Sequence, residues 1–402
     1  MHTQQVVFSN DLGEKLSGRL ITPLLRDVRA YAIFAHCFTC TKNFTATRNI
    51  ARAMAGAGIA TLIFDFTGLG SSEGDFADSN FSSNVNDLLA AANFLEKHYA
   101  APRIVAGHSL GGTAALLAAS KIPSVVAVAS IGSPAEPAHV KQLIASKKEE
   151  IESRGQAQVS LGGRPFFIKK QFLDDLAKTS VLDVVKDFRK ALLVIHAPLD
   201  ETVDIANATR IFAAAKHPKS FVSLDQADHL LSNREDSEYA GHIIAAWAAR
   251  YLERHEETNH YPQGIEHGAA ARTRKDSFKT YVSAGKHPLV ADEPRSVGGT
   301  DLGPSPFDLL ASALATCTTM TLKMYADHKD LTLESATCHV QVQQKKTVED
   351  GAGKTTIFTR QLTLDGDLTQ QQRERMLDIS NRCPVHRALS NDIDIRTELI
   401  DQ

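Results

Sequence analysis

The chain has 402 residues, with 44 Lys and Arg against 47 Asp and Glu, which leaves a formal net charge of -3. Hydrophobic residues make up 43% of the chain and charged residues 23%, values that exclude a disordered chain, a collagen-like chain and a strongly basic nucleic-acid binder. At about 150 residues per domain, the length indicates two or three domains.

The sequence carries no targeting or membrane signal. No apolar run approaches the roughly 20 residues that span a bilayer. The start, MHTQQVVFSND, lacks the basic patch and apolar stretch of a signal peptide. The 5 cysteines are few and odd in number, which favours a reducing compartment over a disulfide framework. We therefore expect a cytoplasmic protein.

Residues 1–254 alternate strand-like and helix-like patterns, beginning with a hairpin whose strands, 6–9 and 16–21, flank the turn NDLGEK. Further strands are predicted at 30–36, 60–66, 103–108, 125–131, 192–196 and 221–224, and helices at 44–57, 83–98, 110–121, 204–216 and 236–253. Apolar strands separated by helices indicate the α/β class, a mostly parallel sheet covered on both faces. Residues 134–188 interrupt this rhythm with one helical pattern, at 141–153, and otherwise irregular sequence, which predicts a small inserted cap.

The polar stretch that begins at residue 255 has no periodicity, and we interpret 255–272 as a linker. A second, α+β domain is predicted at 273–402. Its expected elements are a hairpin at 278–284 and 287–293, a helix at 306–328, strands at 336–348 and 355–364, a helix at 369–381, a short helix after Pro384 and a strand near 393–399. Its order of elements differs from that of the first half.

The first candidate site lies where the strand at 103–108 runs into G-H-S-L-G and a helix. A G-x-S-x-G motif between a strand and a helix holds its serine, here Ser109, exposed at a sharp turn. A serine nucleophile needs a base and an orienting acid, and loops after later strands supply Asp200 and His229 in the order Ser, Asp, His. The rival acids are Asp204, Asp225, Asp228 and Glu136.

Residues 1–254 resemble the α/β-hydrolase superfamily, particularly its serine esterase and lipase-like members. The resemblance rests on this motif, on the ordered partners and on D-F-T-G-L-G-S-S at 65–72. It implies an acyl-enzyme mechanism and an oxyanion hole built from the amides of Phe38 and Leu110. The family's His-Gly loop reads H-C-F-T-C at 36–40, so that Cys37 replaces the glycine.

Cys37 and Cys40 form a C-x-x-C near this predicted site. They are either two small buried cysteines or a redox-sensitive pair that alters the oxyanion loop when oxidised. No second pair of cysteine or histidine residues lies nearby in sequence, so zinc is not expected there. No metal and no cofactor is predicted anywhere in the chain.

In the second domain, S-P-F-D at 305–308 forms a capping box before the long helix. Apolar residues then recur at helical spacing, and Cys317 lies in the middle of that face, which includes Leu310 and Met324. Cys383 precedes a helix that begins with proline, a position that favours its thiolate. Cys338, in a strand, is interpreted as a core cysteine.

Residues 273–402 resemble the OsmC/Ohr thiol peroxidases, in particular the YhfA-like branch. The resemblance rests on G-G-T-D-L-G-P-S-P at 298–306, the helix with Cys317 and C-P-V-H at 383–386. It implies that Cys317 attacks a hydroperoxide, that Cys383 resolves the sulfenic acid as a disulfide, and that the protein is a homodimer. The family's activating arginine and glutamate are replaced by Lys286 and Phe307.

With both domains taken together, the chain resembles the bifunctional α/β-hydrolase/OsmC fusion proteins. They imply a carboxylesterase-type serine hydrolase joined to a thiol domain that reduces organic hydroperoxides with a dithiol reductant. One alternative is that the second domain is a non-catalytic dimerisation or ligand-binding module. Another is that the same triad performs thioesterase, C–C hydrolase or perhydrolase chemistry. The expected partners are a small ester, a hydroperoxide and a second copy of the chain, with no nucleic acid and no membrane span.

Overall fold

The structure is a computed structural model. It describes residues 1–24, 27–37, 40–136, 147–161, 164–178, 180–252, 261–275, 277–346 and 354–399. The chain divides into two compact units, Met1–Thr258 and Asn259–Gln402. Within the described ranges, no helix is both long enough and apolar enough to cross a membrane.

The first unit contains an eight-stranded sheet and a separate two-stranded hairpin. Its strands are β1 His2–Ser9, β2 Lys15–Thr22, β3 Ala30–Ala35, β4 Ile59–Phe64, β5 Ile104–His108, β6 Ala127–Ile131, β7 Gln156–Leu161, β8 Arg164–Lys169, β9 Ala191–His196 and β10 Lys219–Ser223. The strand order of the large sheet is β1-β2-β4-β3-β5-β6-β9-β10. β2 pairs antiparallel with β1 and β4, and the remaining pairs are parallel.

Helices connect the parallel strands of this sheet. They are α1 Thr45–Gly56, α2 Phe81–His98, α3 Leu110–Lys121, α4 Lys148–Arg154, α5 Lys170–Lys178, α6 Val181–Lys186, α7 Ala206–Ala214 and α8 Arg234–Ala248, with a 3-10 turn at Phe76–Asp78. Ile33 of β3 packs into one apolar cluster and its neighbour Phe34 into another. Alternate residues of the strand are therefore buried on opposite faces, which confirms the predicted α/β class.

The predicted cap contains more regular structure than its sequence indicates. Apart from 137–146, 162–163 and 179, which lie outside the described residues, the segment holds the β7–β8 hairpin and three short helices. Ala157 and Val159 alternate along β7 and are buried with Ile168 against the core. The expectation of irregular structure was wrong because this apolar alternation extends over only a few residues in each strand.

The second unit has separate small sheets and a long helix. Its elements are β11 Ala269–Thr273, β12 Thr280–Ala284, β13 His287–Ala291, a 3-10 turn Arg295–Val297, α9 Pro306–His328, β14 Ser335–Lys346, β15 Lys354–Asp365, α10 Gln370–Ser380 and α11 Pro384–Ser390. β11, β12 and β13 form one antiparallel sheet, and β14 pairs with β15. Most of β11 falls in the predicted linker, because A-A-A-R-T has no strand pattern and is held by backbone pairing with β12.

Two expectations for the second unit were wrong. Residues 393–399 form no strand; among the described residues no other strand pairs with them, and Ile395 is 82% exposed. In α9 the buried stripe contains Leu314, Thr318, Leu322 and Ala326, whereas Met324 of the predicted inner face is 71% exposed. The apolar spacing of α9 is compatible with either face, so the sequence alone did not distinguish them.

Candidate active site

Ser109 lies on the turn between β5 and α3. Its backbone angles are φ 56° and ψ -130°, a conformation that L side chains rarely adopt. A Cβ added to Gly111 would lie 2.1 Å from the carbonyl oxygen of His36, so the helix start approaches the neighbouring loop at a distance that only glycine permits. The motif thus positions the hydroxyl at the carboxyl edge of the sheet.

His229 connects the other two predicted residues. Its Nδ1 lies 2.7 Å from Oδ2 of Asp200, and its Nε2 lies 3.1 Å from Oγ of Ser109. The carboxylate accepts the Nδ1 proton, which leaves the Nε2 lone pair to accept the serine proton. The structure therefore brings together the three residues that the sequence analysis selected, in the order required for proton transfer from serine to histidine.

The carboxylate of Asp200 is held in its ionised form. Its Oδ1 accepts the amides of Thr202 at 2.9 Å and Val203 at 2.8 Å. Burial by itself would raise the pKa of Asp200, but the hydrogen bonds from His229 and from these amides outweigh burial, so that the pKa lies below its ordinary value. The site thus contains a fixed negative charge against the imidazole.

The rival acids have other partners. Asp204 accepts the amide of Ala206, Asp225 accepts the hydroxyl of Ser223, and Asp228 accepts the amide of Ser232. Glu136 accepts the amide of Val181 at 3.4 Å. Among the described residues none of these four carboxylates is hydrogen-bonded to the ring of His229.

His108, which the sequence analysis did not assign a role, also contacts the triad. Its Nε2 donates to the carbonyl oxygen of His229 at 2.6 Å, and the two ring centroids are 4.9 Å apart. Burial, followed by the nearby His229, lowers the pKa of His108 to about 3, so its ring is neutral. The only sequence signal was its position next to the nucleophile.

The predicted oxyanion hole is described in part. Leu110 is the first residue of α3 and is 4% exposed. Phe38 lies outside the described residues. Cys37 and Cys40, which flank it, are joined by a disulfide, and both are buried. The amide of Cys40 donates to the carbonyl oxygen of Cys37 at 3.0 Å.

A buried ion pair anchors the segment that follows Cys40. Lys42 is 3% exposed and Asp65 is fully buried, and the Lys42 ammonium contacts Oδ2 of Asp65. Oδ1 of Asp65 accepts the amide of Lys42 at 2.6 Å, and Oδ2 accepts the amide of Ser71 at 2.9 Å. Asp65 therefore ties the loop after β3 to the glycine-rich turn after β4.

In the second unit, the predicted capping box is confirmed, since Ser305 and Asp308 bond each other's backbone amides. Cys383 is fully buried and accepts the amide of His386 at 3.3 Å. Its sulfur also lies 3.7 Å from the hydroxyl of Thr318. Cys317, the neighbour of Thr318, is half-buried, and no hydrogen bond joins its thiol to Cys383.

Arg360, on β15, reaches the surroundings of Cys383. One guanidinium nitrogen donates to the hydroxyl of Thr318 at 3.0 Å and to the carbonyl oxygen of Ser380 at 2.9 Å. The other donates to Asn381 at 2.6 Å and lies 3.2 Å from Nδ1 of His386. The sequence analysis missed this arginine because strand pairing brings it to the cysteine from a distant segment. Lys286 and Phe307, at the family's activating positions, are exposed.

Known proteins match both parts of the chain. A family model described as serine aminopeptidase, S33, matches residues 27–156, and the OsmC-like protein model matches 299–398. The structure of the esterase domain of a Rhodothermus marinus protein is 48% identical and covers 62% of this chain and 99% of its own, with a TM-score of 0.53. The chain is a fusion of an α/β-hydrolase and an OsmC-like domain.

More distant structures share the fold of this hydrolase unit. Est1E from Butyrivibrio proteoclasticus, solved with ferulic acid, is 21% identical and covers 61% of this chain and 98% of its own, with a TM-score of 0.51. The mouse α/β-hydrolase domain-containing protein 10 is also 21% identical, with 61% and 99% coverage and a TM-score of 0.51. The comparison with curated proteins finds no match.

Among the described residues, no group of three or more His, Cys, Asp or Glu side chains could hold a metal ion.

Proposed function

We propose that the hydrolase unit is a carboxylesterase that uses Ser109 as nucleophile, His229 as base and Asp200 as orienting acid. The observation that carries this proposal is that His229 bonds the carboxylate with one ring nitrogen and the serine hydroxyl with the other. A serine hydroxyl is a weak nucleophile at neutral pH and becomes reactive when a neighbouring imidazole accepts its proton.

In the proposed reaction, Oγ of Ser109 attacks the ester carbonyl while Nε2 of His229 takes the hydroxyl proton. The imidazolium then donates that proton to the departing alcohol, and an acyl-enzyme remains. Water, deprotonated by the same nitrogen, releases the acid and restores the serine. Asp200 stays ionised throughout, and it stabilises the imidazolium that each half-reaction forms.

The oxyanion of each tetrahedral intermediate would be bound by the amides of Leu110 and Phe38. Leu110 is the first residue of a helix, where backbone amides have no partner within the helix. Losing one such donor costs about 2.7–4 kcal/mol of transition-state stabilisation. The disulfide between Cys37 and Cys40 spans Phe38 in sequence.

Hydrolysis of p-nitrophenyl esters of increasing acyl length tests this proposal. The Ser109→Ala variant should lose at least about 10³-fold in kcat. Ser120→Ala is the matched control, since this hydroxyl lies on α3 and bonds only the carbonyl of Leu117. Equal turnover in wild type and Ser109→Ala would overturn the proposal. A parallel series of thioesters and β-diketones distinguishes esterase from thioesterase and C–C hydrolase chemistry, which the same triad permits.

For the OsmC-like unit we propose thiol-dependent reduction of organic hydroperoxides. Cys317 would attack the hydroperoxide and become a sulfenic acid, and Cys383 would resolve it as a disulfide with loss of water. Cys383 and Arg360 both contact the hydroxyl of Thr318, the neighbour of Cys317, which brings a second thiol and a cation close to the helix that carries Cys317 and favours this reading. Consumption of cumene hydroperoxide with dithiothreitol should require Cys317, and equal rates in Cys317→Ser would contradict it.

We also propose that this unit forms a homodimer. A dimer is expected as well if the unit is a non-catalytic dimerisation module. Met320 and Met324 are 65% and 71% exposed on α9, and Ile393 and Ile395 are exposed near the end of the chain. A second copy would bury these apolar side chains. Light scattering of the full chain should give twice the monomer mass, and Met324→Lys should shift it toward monomer. A monomeric wild-type protein would contradict this.

A further inference from the structure

Cys338 lies at the edge of the apolar cluster of the second unit. It is on the half-buried side of β14, whose exposed residues alternate with half-buried ones from 335 to 343. Leu362, directly opposite Cys338 on β15, packs against the cluster that forms around Leu322 and Met376. Cys338 itself is half-buried, so it is a partly accessible thiol beside the core and not a fully buried core cysteine.

Thr318 connects Cys338 with Cys383. Its hydroxyl donates to the carbonyl oxygen of Leu314 at 2.7 Å, which leaves its two lone pairs to accept hydrogen bonds. One accepts Arg360 at 3.0 Å, and Cys383 Sγ lies 3.7 Å away. Thr318 lowers the pKa of the Cys338 thiol and Cys383 raises it, so Cys338 lies close to both side chains.

The strand register supports this placement independently. Val340 lies opposite Arg360 in the β14–β15 ladder, so their side chains are on the same face. Cys338 is two residues from Val340 and therefore shares that face. The arginine that reaches Thr318 thus marks the side of the hairpin on which Cys338 approaches α9. Cys338 thus approaches α9 on the side where the Thr318 hydroxyl lies 3.7 Å from Cys383 Sγ.

We propose that Cys338 and Cys383 form a reversible disulfide, which makes Cys338 the third thiol of a relay in the OsmC-like unit. The proposal rests on the proposed hydroperoxide reductase function, because reduction of the hydroperoxide supplies the oxidation that forms the first disulfide. The disulfide between Cys317 and Cys383, formed after hydroperoxide reduction, is attacked at Cys383 Sγ by the thiolate of Cys338. The bond from Cys383 to Cys317 breaks as the new bond forms, and the proton lost by Cys338 passes to the Cys317 thiolate. No net oxidation accompanies this exchange, and an external dithiol later reduces the new disulfide.

The consequence of this relay is that Cys317 is regenerated as a free thiol while the oxidising equivalents move to a disulfide between the half-buried Cys338 and the buried Cys383. The electrostatics of the site set its pH dependence. Burial raises the pKa of the Cys338 thiol, whereas Arg360 and Thr318 act in the opposite direction. Since the thiolate is the attacking species, the exchange should accelerate as pH rises from 7 to 9.

Peptide mapping tests the proposal directly, because trypsin places each of the three cysteines on a separate peptide: 296–323, 330–345 and 383–387. The full chain is oxidised with diamide, its remaining thiols are blocked with N-ethylmaleimide, and it is digested without reductant. We expect peptide 330–345 linked to 383–387 in wild type and in Cys317→Ser. A wild-type digest in which 383–387 is linked only to 296–323, or a Cys317→Ser digest with both other peptides blocked by maleimide, would overturn the proposal.

A second experiment separates this proposal from the reductase function. After one equivalent of cumene hydroperoxide, Cys317 should carry maleimide in wild type but should be linked to Cys383 in Cys338→Ala. If diamide yields the Cys338–Cys383 link but cumene hydroperoxide is not consumed, the reductase function fails and the thiol pair stands. If hydroperoxide is consumed and Cys338 remains blocked by maleimide under both oxidants, the relay fails and the reductase function stands.

Discussion

His108 donates a hydrogen bond of 2.6 Å to the carbonyl oxygen of His229, and thereby ties the residue next to Ser109 to the backbone of His229. Because His108 and Ser109 are consecutive, this bond restrains the distance between the serine hydroxyl and the imidazole, which is 3.1 Å. The geometry that the proposed mechanism requires is thus supported by a contact in which neither the serine hydroxyl nor the imidazole takes part.

We expect His108→Leu to lower kcat about fivefold with little change in KM, because one buried hydrogen bond contributes about 1 kcal/mol. His108→Gln should retain most of the activity, since its amide nitrogen can donate from nearly the same position. Steady-state kinetics on a p-nitrophenyl ester measure both variants. Equal losses of kcat in the glutamine and leucine variants would show that the hydrogen bond donated by residue 108 does not support catalysis.

Acid should destabilise the hydrolase unit through His108. Its pKa is about 3 in the folded chain and about 6.5 when exposed, so the unfolded state binds the additional proton between these values. Above pH 6.5 the His108 ring is neutral in both the folded and the unfolded state, so its protonation does not affect stability. As pH falls toward 3, the free energy of unfolding decreases progressively, by up to about 5 kcal/mol. The single tryptophan, Trp247, lies in α8 and reports urea unfolding of this unit. His108→Gln should flatten the slope between pH 6.5 and 4, and an unchanged slope would contradict the assignment.

Lys42→Met should destabilise the hydrolase unit by about 3–5 kcal/mol, because it leaves the carboxylate of Asp65 buried without its cation. The matched control is Lys186→Met, whose pair with Asp183 is more than half exposed, so that its loss should leave stability nearly unchanged. Trp247 fluorescence in urea measures both variants. Similar losses in the two would argue against a structural role for the buried pair.

The redox state of Cys37 and Cys40 should change ester turnover. Reduction removes the covalent link that spans Phe38 in sequence, and we expect kcat to fall by up to about 10³-fold, the effect of losing one oxyanion donor. Turnover is compared in dithiothreitol and in diamide for wild type and for a Cys37→Ser/Cys40→Ser double variant, which should be insensitive. Identical wild-type turnover in both reagents would mean that the disulfide does not affect ester hydrolysis.

Much of the hydrolase unit was predictable from sequence, because its apolar strands and its nucleophile turn are local patterns. The order of Ser109, Asp200 and His229 along the chain was sufficient to select the three residues that the structure brings together. His108 was not predictable as a support, since its partner is a backbone carbonyl 121 residues away.

The second unit was harder to predict because its contacts depend on register and on a helix face. The β14–β15 register brings Arg360 to the face on which it reaches Thr318, beside Cys383. The alternation of Ile393 and Ile395 indicated a strand, but a strand needs a partner, and none pairs with these residues in the described part of this single chain.

Covalent labelling with a fluorophosphonate probe tests the account's central claim, that Ser109 is the nucleophile, most directly. One equivalent of probe should bind per chain, on the peptide that contains Ser109, and ester hydrolysis should fall in proportion to labelling. His229→Ala should slow labelling at least about 10³-fold, because the base that activates the hydroxyl is lost. A probe that leaves Ser109 unmodified while ester hydrolysis continues would contradict the account.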